Sequence, residues 1–96
     1  MGAEVFYHKV KAKSAEKAFS NAIDEAHWHH GHAGYTGTIA EKGSFVMIPL
    51  PKDKDPYDYA NELIDADDSR INDKWGAAGC FKLANGEFFF FGWASC

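Results

Sequence analysis

The sequence has little with which to crosslink itself or to neutralise a polyanion. Its only cysteines are Cys80 and Cys96, too few for the disulfide framework of small secreted domains, so reduced thiols in a cytoplasm are expected. Cationic charge is also short: ten Lys and Arg stand against fourteen Asp and Glu, a net charge of −4. Binding to a DNA or RNA polymer needs a clustered basic surplus, and the basic residues here alternate with acids. No apolar run approaches the roughly 20 residues of a membrane span, and the opening Met-Gly-Ala-Glu lacks the basic and apolar regions of a secretion signal. The chain is therefore read as cytoplasmic, with no membrane partner. Its 96 residues leave room for a single domain, residues 1–96.

Aromatic residues are abundant by contrast. Eight Phe, four Tyr and three Trp can fill a core of this size and leave rings over for a binding surface. An apolar share of 46% against 25% charged residues fits a folded globular chain.

Periodicity divides the chain into elements. Residues 3–12 alternate as a strand with Phe6, His8, Val10 and Ala12 on one face. Ser14 then offers a helix N-cap, and Ala15, Ala18, Phe19, Ala22, Ile23 and Ala26 form a helical stripe that should run from Ala15 to His30, before Gly31. Residues 35–40 and 44–50 read as a hairpin turned at Glu41-Lys42-Gly43, with positive φ expected at Gly43. Asp55-Pro56 pairs an N-cap with proline at the first helical position and opens a second helix, which should end near Asp68. Its apolar face is Tyr57, Ala60, Leu63 and Ile64, and its acidic face Asp58, Glu62, Asp65, Asp67 and Asp68.

Residues 80–84 and 87–93 flank Asn85-Gly86, the strongest short-range hairpin signal. The run Phe88-Phe89-Phe90-Phe91 sends rings to both faces, so its strand should be central or covered on both sides. The element order predicts an α+β fold. That order matches a ferredoxin-like split βαββαβ arrangement with an extra C-terminal strand, an antiparallel sheet covered on one face by two helices, and a different α+β roll with the same elements fits nearly as well.

Three constellations carry possible chemistry. The first is His27-Trp28-His29-His30-Gly31-His32. His27 and His30 can share a helix face as metal ligands, but no HExxH or paired CxxC accompanies them. The plain structural reading is a polar helix end whose histidines complement the helix dipole; the functional one preferred to a metal site is His29 and His32 as hydrogen-bond donors to a ligand, with no metal or other cofactor. The second is the glycine-rich run from Gly31 to Ser44. Backbone N–H groups at Gly34, Tyr35, Thr36 and Gly37, with Thr38 and Lys42, can hold phosphate oxygens; the alternative is glycines that only serve a tight connection. It lacks the Gly-Lys-Ser/Thr ending of a Walker sequence.

The third constellation is Asp67-Asp68-Ser69-Arg70 with Asp73-Lys74-Trp75-Gly76. Arg70 can fork onto a phosphate and Trp75 can stack on a base, against a reading as a solvated charged turn. The acids lack the spacing and terminal Glu of an EF-hand. Cys80 lies between Gly79 and Phe81 in an apolar strand and is expected to be a buried, inert thiol.

The stretch Gly34-Tyr-Thr-Gly-Thr-Ile-Ala-Glu-Lys42 followed by Phe45-Val-Met-Ile48, together with Lys74-Trp-Gly-Ala-Ala-Gly-Cys80 and Phe91-Gly-Trp-Ala-Ser95, resembles segments of a family of small bacteriophage and prophage proteins. No activity is attached to that family. The resemblance implies a phage context, in which small acidic proteins act against host defence by trapping a nucleotide signal or by occluding a host protein.

The functional expectation is a noncatalytic protein that sequesters a small nucleotide-type ligand. Its ligand-binding residues are His29, His32, Gly34, Tyr35, Thr36, Gly37, Thr38, Lys42, Arg70 and Trp75, and a homo-oligomer supplies the depth that one small subunit lacks. Two alternatives stand beside it: a protein–protein inhibitor using the acidic second helix or a sheet edge, and a small enzyme that degrades the nucleotide.

Overall fold

The computed structural model describes residues 3–30, 39 and 42–95, with the backbone alone described for His29, His30 and Ser95. The elements are β1 (Ala3–Lys11), α1 (Ala15–His30), β2 (Phe45–Met47), α2 (Pro56–Asp65), β3 (Ala78–Lys82) and β4 (Glu87–Ser95), with a short 3-10 turn at Ala84–Gly86. The strands form one mixed sheet in the order β1-β4-β3-β2.

Each local signal has a local cause. The Ser14 hydroxyl accepts from the Lys17 N–H at 3.2 Å, which satisfies one of the donors that the first turn of α1 leaves over. Asp55 does the same for α2, accepting from the Asp58 N–H at 3.1 Å, and Pro56 fills the first helical position. That helix stops at Asp65, short of the expected end near Asp68, because the chain turns into the left-handed region at Asp67, φ 56°. The N–H groups of Asp67 and Asp68 donate back to the carbonyls of Ile64 and Leu63, both at 3.1 Å, the Schellman closure. Between β3 and β4, Asn85 and Gly86 have φ of 61° and 75°, the two positive values that a tight hairpin turn with the twist of the strands requires.

Strand β4 is the centre of the molecule. It pairs antiparallel with β1 along its whole length, from Ala3 opposite Ser95 to Lys11 opposite Glu87, and with β3 on its other side. Its four phenylalanines are all buried, and alternation divides them between the faces. Phe88 and Phe90 lie with Phe6, Val10, Ala78, Cys80 and the α1 residues Ala18, Ala22 and Ala26. Phe89 and Phe91 lie with Phe81, Ile48, Ile71 and the α2 residues Ala60 and Leu63. Each buried ring stabilises the fold by about 1.5–3 kcal/mol, so this one strand dominates both cores. The small side chains at 18, 22 and 26 let α1 approach the sheet closely, and His8 faces Glu25 of that helix, Nε2 to Oε2 3.7 Å.

The architecture is α+β, but the described residues do not reproduce the ferredoxin-like order. β2 runs parallel to β3, with Val46 opposite Gly79, so the sheet is mixed and not wholly antiparallel. α2 is the crossover between these two strands, and a helical crossover returns the chain in the same direction. The helices also pack on opposite faces, α1 against one core and α2 against the other, because β4 presents rings to both. Residues 35–38 and 40 of the expected first hairpin lie outside the described residues. Gly43 does not use the positive φ expected of it: among the described glycines only Gly86 and Gly92 do. Among the described residues no helix is long and apolar enough to cross a membrane.

Candidate functional site

The loop from Ala66 to Ala77 joins α2 to β3, and one apolar anchor holds it down. Ile71 is buried with Leu63, Ile48 and Phe81, while its neighbours on both sides stay exposed. Past this anchor the chain folds over Asp73. The Asp73 Oδ1 accepts from the Trp75 N–H at 2.9 Å, and the Asp73 carbonyl accepts from the Gly76 N–H at 2.9 Å. An aspartate bonding to the backbone two residues on favours such a turn locally. Trp75 is thereby presented at the surface, 55% exposed, with the Lys74 ammonium 5.4 Å from its ring centre.

The same loop receives Lys42. This is the one buried charged residue among those described, 3% exposed, and its ammonium donates to the carbonyl oxygens of Asp73 and Lys74, both at 3.2 Å. Burial pulls its pKa below the ordinary value, and the nearby Asp73 carboxylate pulls it partly back. The Lys42 N–H also donates to the carbonyl of the fully buried Ile39, at 2.9 Å. The end of the glycine-rich segment is thus fastened to the tryptophan loop, though the two are some thirty positions apart in sequence.

Beside that junction is an open hollow of about 430 Å³, lined by Ala3, Asp67, Asn72, Asp73, Lys74, Trp75 and Trp93. Its wall combines two indoles, two carboxylates, an amide and an ammonium. Such a wall can stack on a flat ring and hydrogen-bond its edge.

The ten candidate residues separate accordingly. Lys42 and Trp75 are brought together, but at least two of the three Lys42 donors already serve backbone carbonyls, so Lys42 joins the two parts of the site instead of standing open to a phosphate. Arg70 is turned the other way. Its Nε and a terminal nitrogen fork onto Asp68 at 2.9 and 2.8 Å, and its backbone N–H donates to the same carboxylate at 2.9 Å. The hydrogen bonds from the Arg70 side chain, then from its backbone, hold the Asp68 pKa down to about 2. The side chain of His29, and His32, Gly34, Tyr35, Thr36, Gly37 and Thr38, lie outside the described residues.

Asp67, Asn72, Asp73 and Trp93 line the hollow without having been singled out as binding residues. The signal for Trp93 was present: it continues the alternation of Phe89 and Phe91 along β4. No group of three or more His, Cys, Asp or Glu among the described residues is placed to hold a metal ion. Cys80 is fully buried, and burial pushes its thiol up to about 12, as its apolar setting in the sequence led one to expect.

No known protein family, curated protein or solved structure matches this chain.

Proposed function

We propose that this protein captures a small nucleotide-type ligand and holds it without turnover, at the junction between the segment ending at Lys42 and the Trp75 loop. The observation that carries this is the Lys42 ammonium on the carbonyls of Asp73 and Lys74, beside a hollow of about 430 Å³. It fastens Lys42, which follows the glycine-rich and hydroxyl-bearing stretch in the sequence, to the loop that carries an exposed indole, and nucleotide binding calls for donors for phosphate and a platform for a base. Indoles, an amide and carboxylates on the described wall supply stacking and hydrogen bonds, and capture asks no more of them. The hollow is open in one subunit, and association of copies would deepen it. In the phage context suggested by the sequence, the captured molecule would be an immune signal of the infected cell.

Expression in bacteria with active nucleotide-signalling defence, followed by denaturation and mass spectrometry of released small molecules, tests this. Recovery of an intact nucleotide, lost in Trp75→Ala, supports capture. Recovery of cleaved nucleotide points to an enzyme, and release of none at all overturns the reading.

One observation favours a second reading, a protein inhibitor. α2 exposes Asp58, Glu62 and Asp65 together with Tyr57, an acidic and aromatic surface suited to a basic partner. Binding of a host protein that fails on reversing Asp58 and Asp65, with no nucleotide bound, would select it.

A further inference from the structure

The wall of the hollow is the wrong sign for a phosphate and the right one for a ring edge that bears N–H donors. Asp67 and Asp73 contribute carboxylates to the same hollow as Trp75 and Trp93, and Lys74 is its single lining cation. A stacked base therefore presents its hydrogen-bonding edge to acceptors. The four common bases differ sharply in what they show there. Guanine offers N1–H and the N2 amino group side by side, two parallel donors that match the two oxygens of one carboxylate. Adenine and cytosine each pair one amino group with a ring nitrogen lone pair, and uracil flanks its single N–H with two carbonyls, so in each of these a carboxylate meets a like partial charge.

We infer that the hollow reads the base of its ligand and selects guanine, with Trp75 as the stacking platform and the Asp67 carboxylate as the reader of the N1 and N2 donors. This rests on the capture reading and adds to it the identity of the base. Asp67 is chosen over Asp73 because the Asp73 Oδ1 is already engaged by the Trp75 N–H at 2.9 Å. The Asp67 carboxylate has no hydrogen bond or ion pair among the described residues. Asn72, whose amide nitrogen donates to the Asp67 carbonyl at 3.4 Å, fixes the backbone from which that carboxylate projects.

Calorimetric titration of the full chain with guanosine, inosine and adenosine monophosphates tests the assignment. Inosine keeps N1–H and lacks the amino group, so it should bind about tenfold more weakly than guanosine monophosphate, and adenosine monophosphate about a hundredfold more weakly. Asp67→Asn should lower guanosine monophosphate affinity at least about tenfold and abolish the preference, while its thermal melt stays close to that of the parent because asparagine also tolerates the left-handed backbone. Equal affinity for the guanine and adenine nucleotides, or a preference that survives Asp67→Asn, overturns the guanine assignment and leaves capture standing. So does release of only non-guanine nucleotides on denaturation. A protein that binds none of the three and releases no nucleotide overturns both.

Discussion

Gly79 lies under the ring of Phe91, its partner across the β3–β4 ladder: a Cβ on Gly79 would stand 2.5 Å from Cζ and 2.7 and 2.9 Å from the two Cε atoms. The ring cannot withdraw. It is fully buried and packs on Phe81 with 4.7 Å between centroids. Gly79→Ala should therefore destabilise the protein by about 1–3 kcal/mol through overpacking, although alanine is the better strand residue on local grounds. Urea unfolding checks it; an unchanged midpoint would mean that the ring has room to move.

Lys42 ties the site together, and its loss should be felt in two measurements. Lys42→Met leaves the carbonyls of Asp73 and Lys74 without their buried donor, at a cost of about 1–3 kcal/mol in thermal stability. It should also release the Trp75 loop, so acrylamide should quench tryptophan fluorescence more strongly in the variant. Lost stability with unaltered quenching would separate Lys42 from the presentation of Trp75.

Helix α2 is capped well at one end and awkwardly at the other. Asp55→Ala should cost about 1 kcal/mol, since the Asp58 N–H loses its acceptor. Asp67→Gly should go the other way and stabilise the fold by up to about 1 kcal/mol, because glycine carries no Cβ into the left-handed conformation held there. A chain made more stable yet weaker for guanosine monophosphate would show that the aspartate is retained for binding, a common trade at working sites.

The Asp68–Arg70 pair sets an acid limit. With the Asp68 pKa lowered from 3.8 to about 2, the folded state holds this carboxylate ionised where the unfolded chain would protonate it. Its contribution is complete above the unfolded value and fades as pH falls from there through about 2. Both side chains are partly exposed, so salt should weaken the effect. NMR titration should place the Asp68 midpoint near 2, and Arg70→Ala should raise it toward the ordinary carboxylate range without restoring it fully, because the backbone N–H of residue 70 still donates to the carboxylate.

Local chemistry was legible in the sequence and long-range pairing was not. The α1 stripe, the Asp55-Pro56 opening of α2 and the Asn85-Gly86 turn act through neighbouring residues, and each appears where the pattern puts it. The three residues of β2, Phe45-Val46-Met47, carry no mark of direction, so their parallel union with β3 could not be read off. The four phenylalanines did announce a strand covered on both sides, and that requirement is what sends the two helices to opposite faces. At the site, Trp75 stood out as a ring among charges. Lys42 misled, because a lysine followed by glycine and serine looks like surface until the two carbonyls that bury it are known.

Because β4 sits between β1 and β3, two of the three strand pairings wait for residues 87–95. During synthesis β1 and α1 are made well before β4, and the four rings that bind both layers follow them. Among the described strands β1 has no other neighbour, so it stays unjoined until β4 is made, and the pairing of greatest sequence separation is the step on which assembly of the sheet waits.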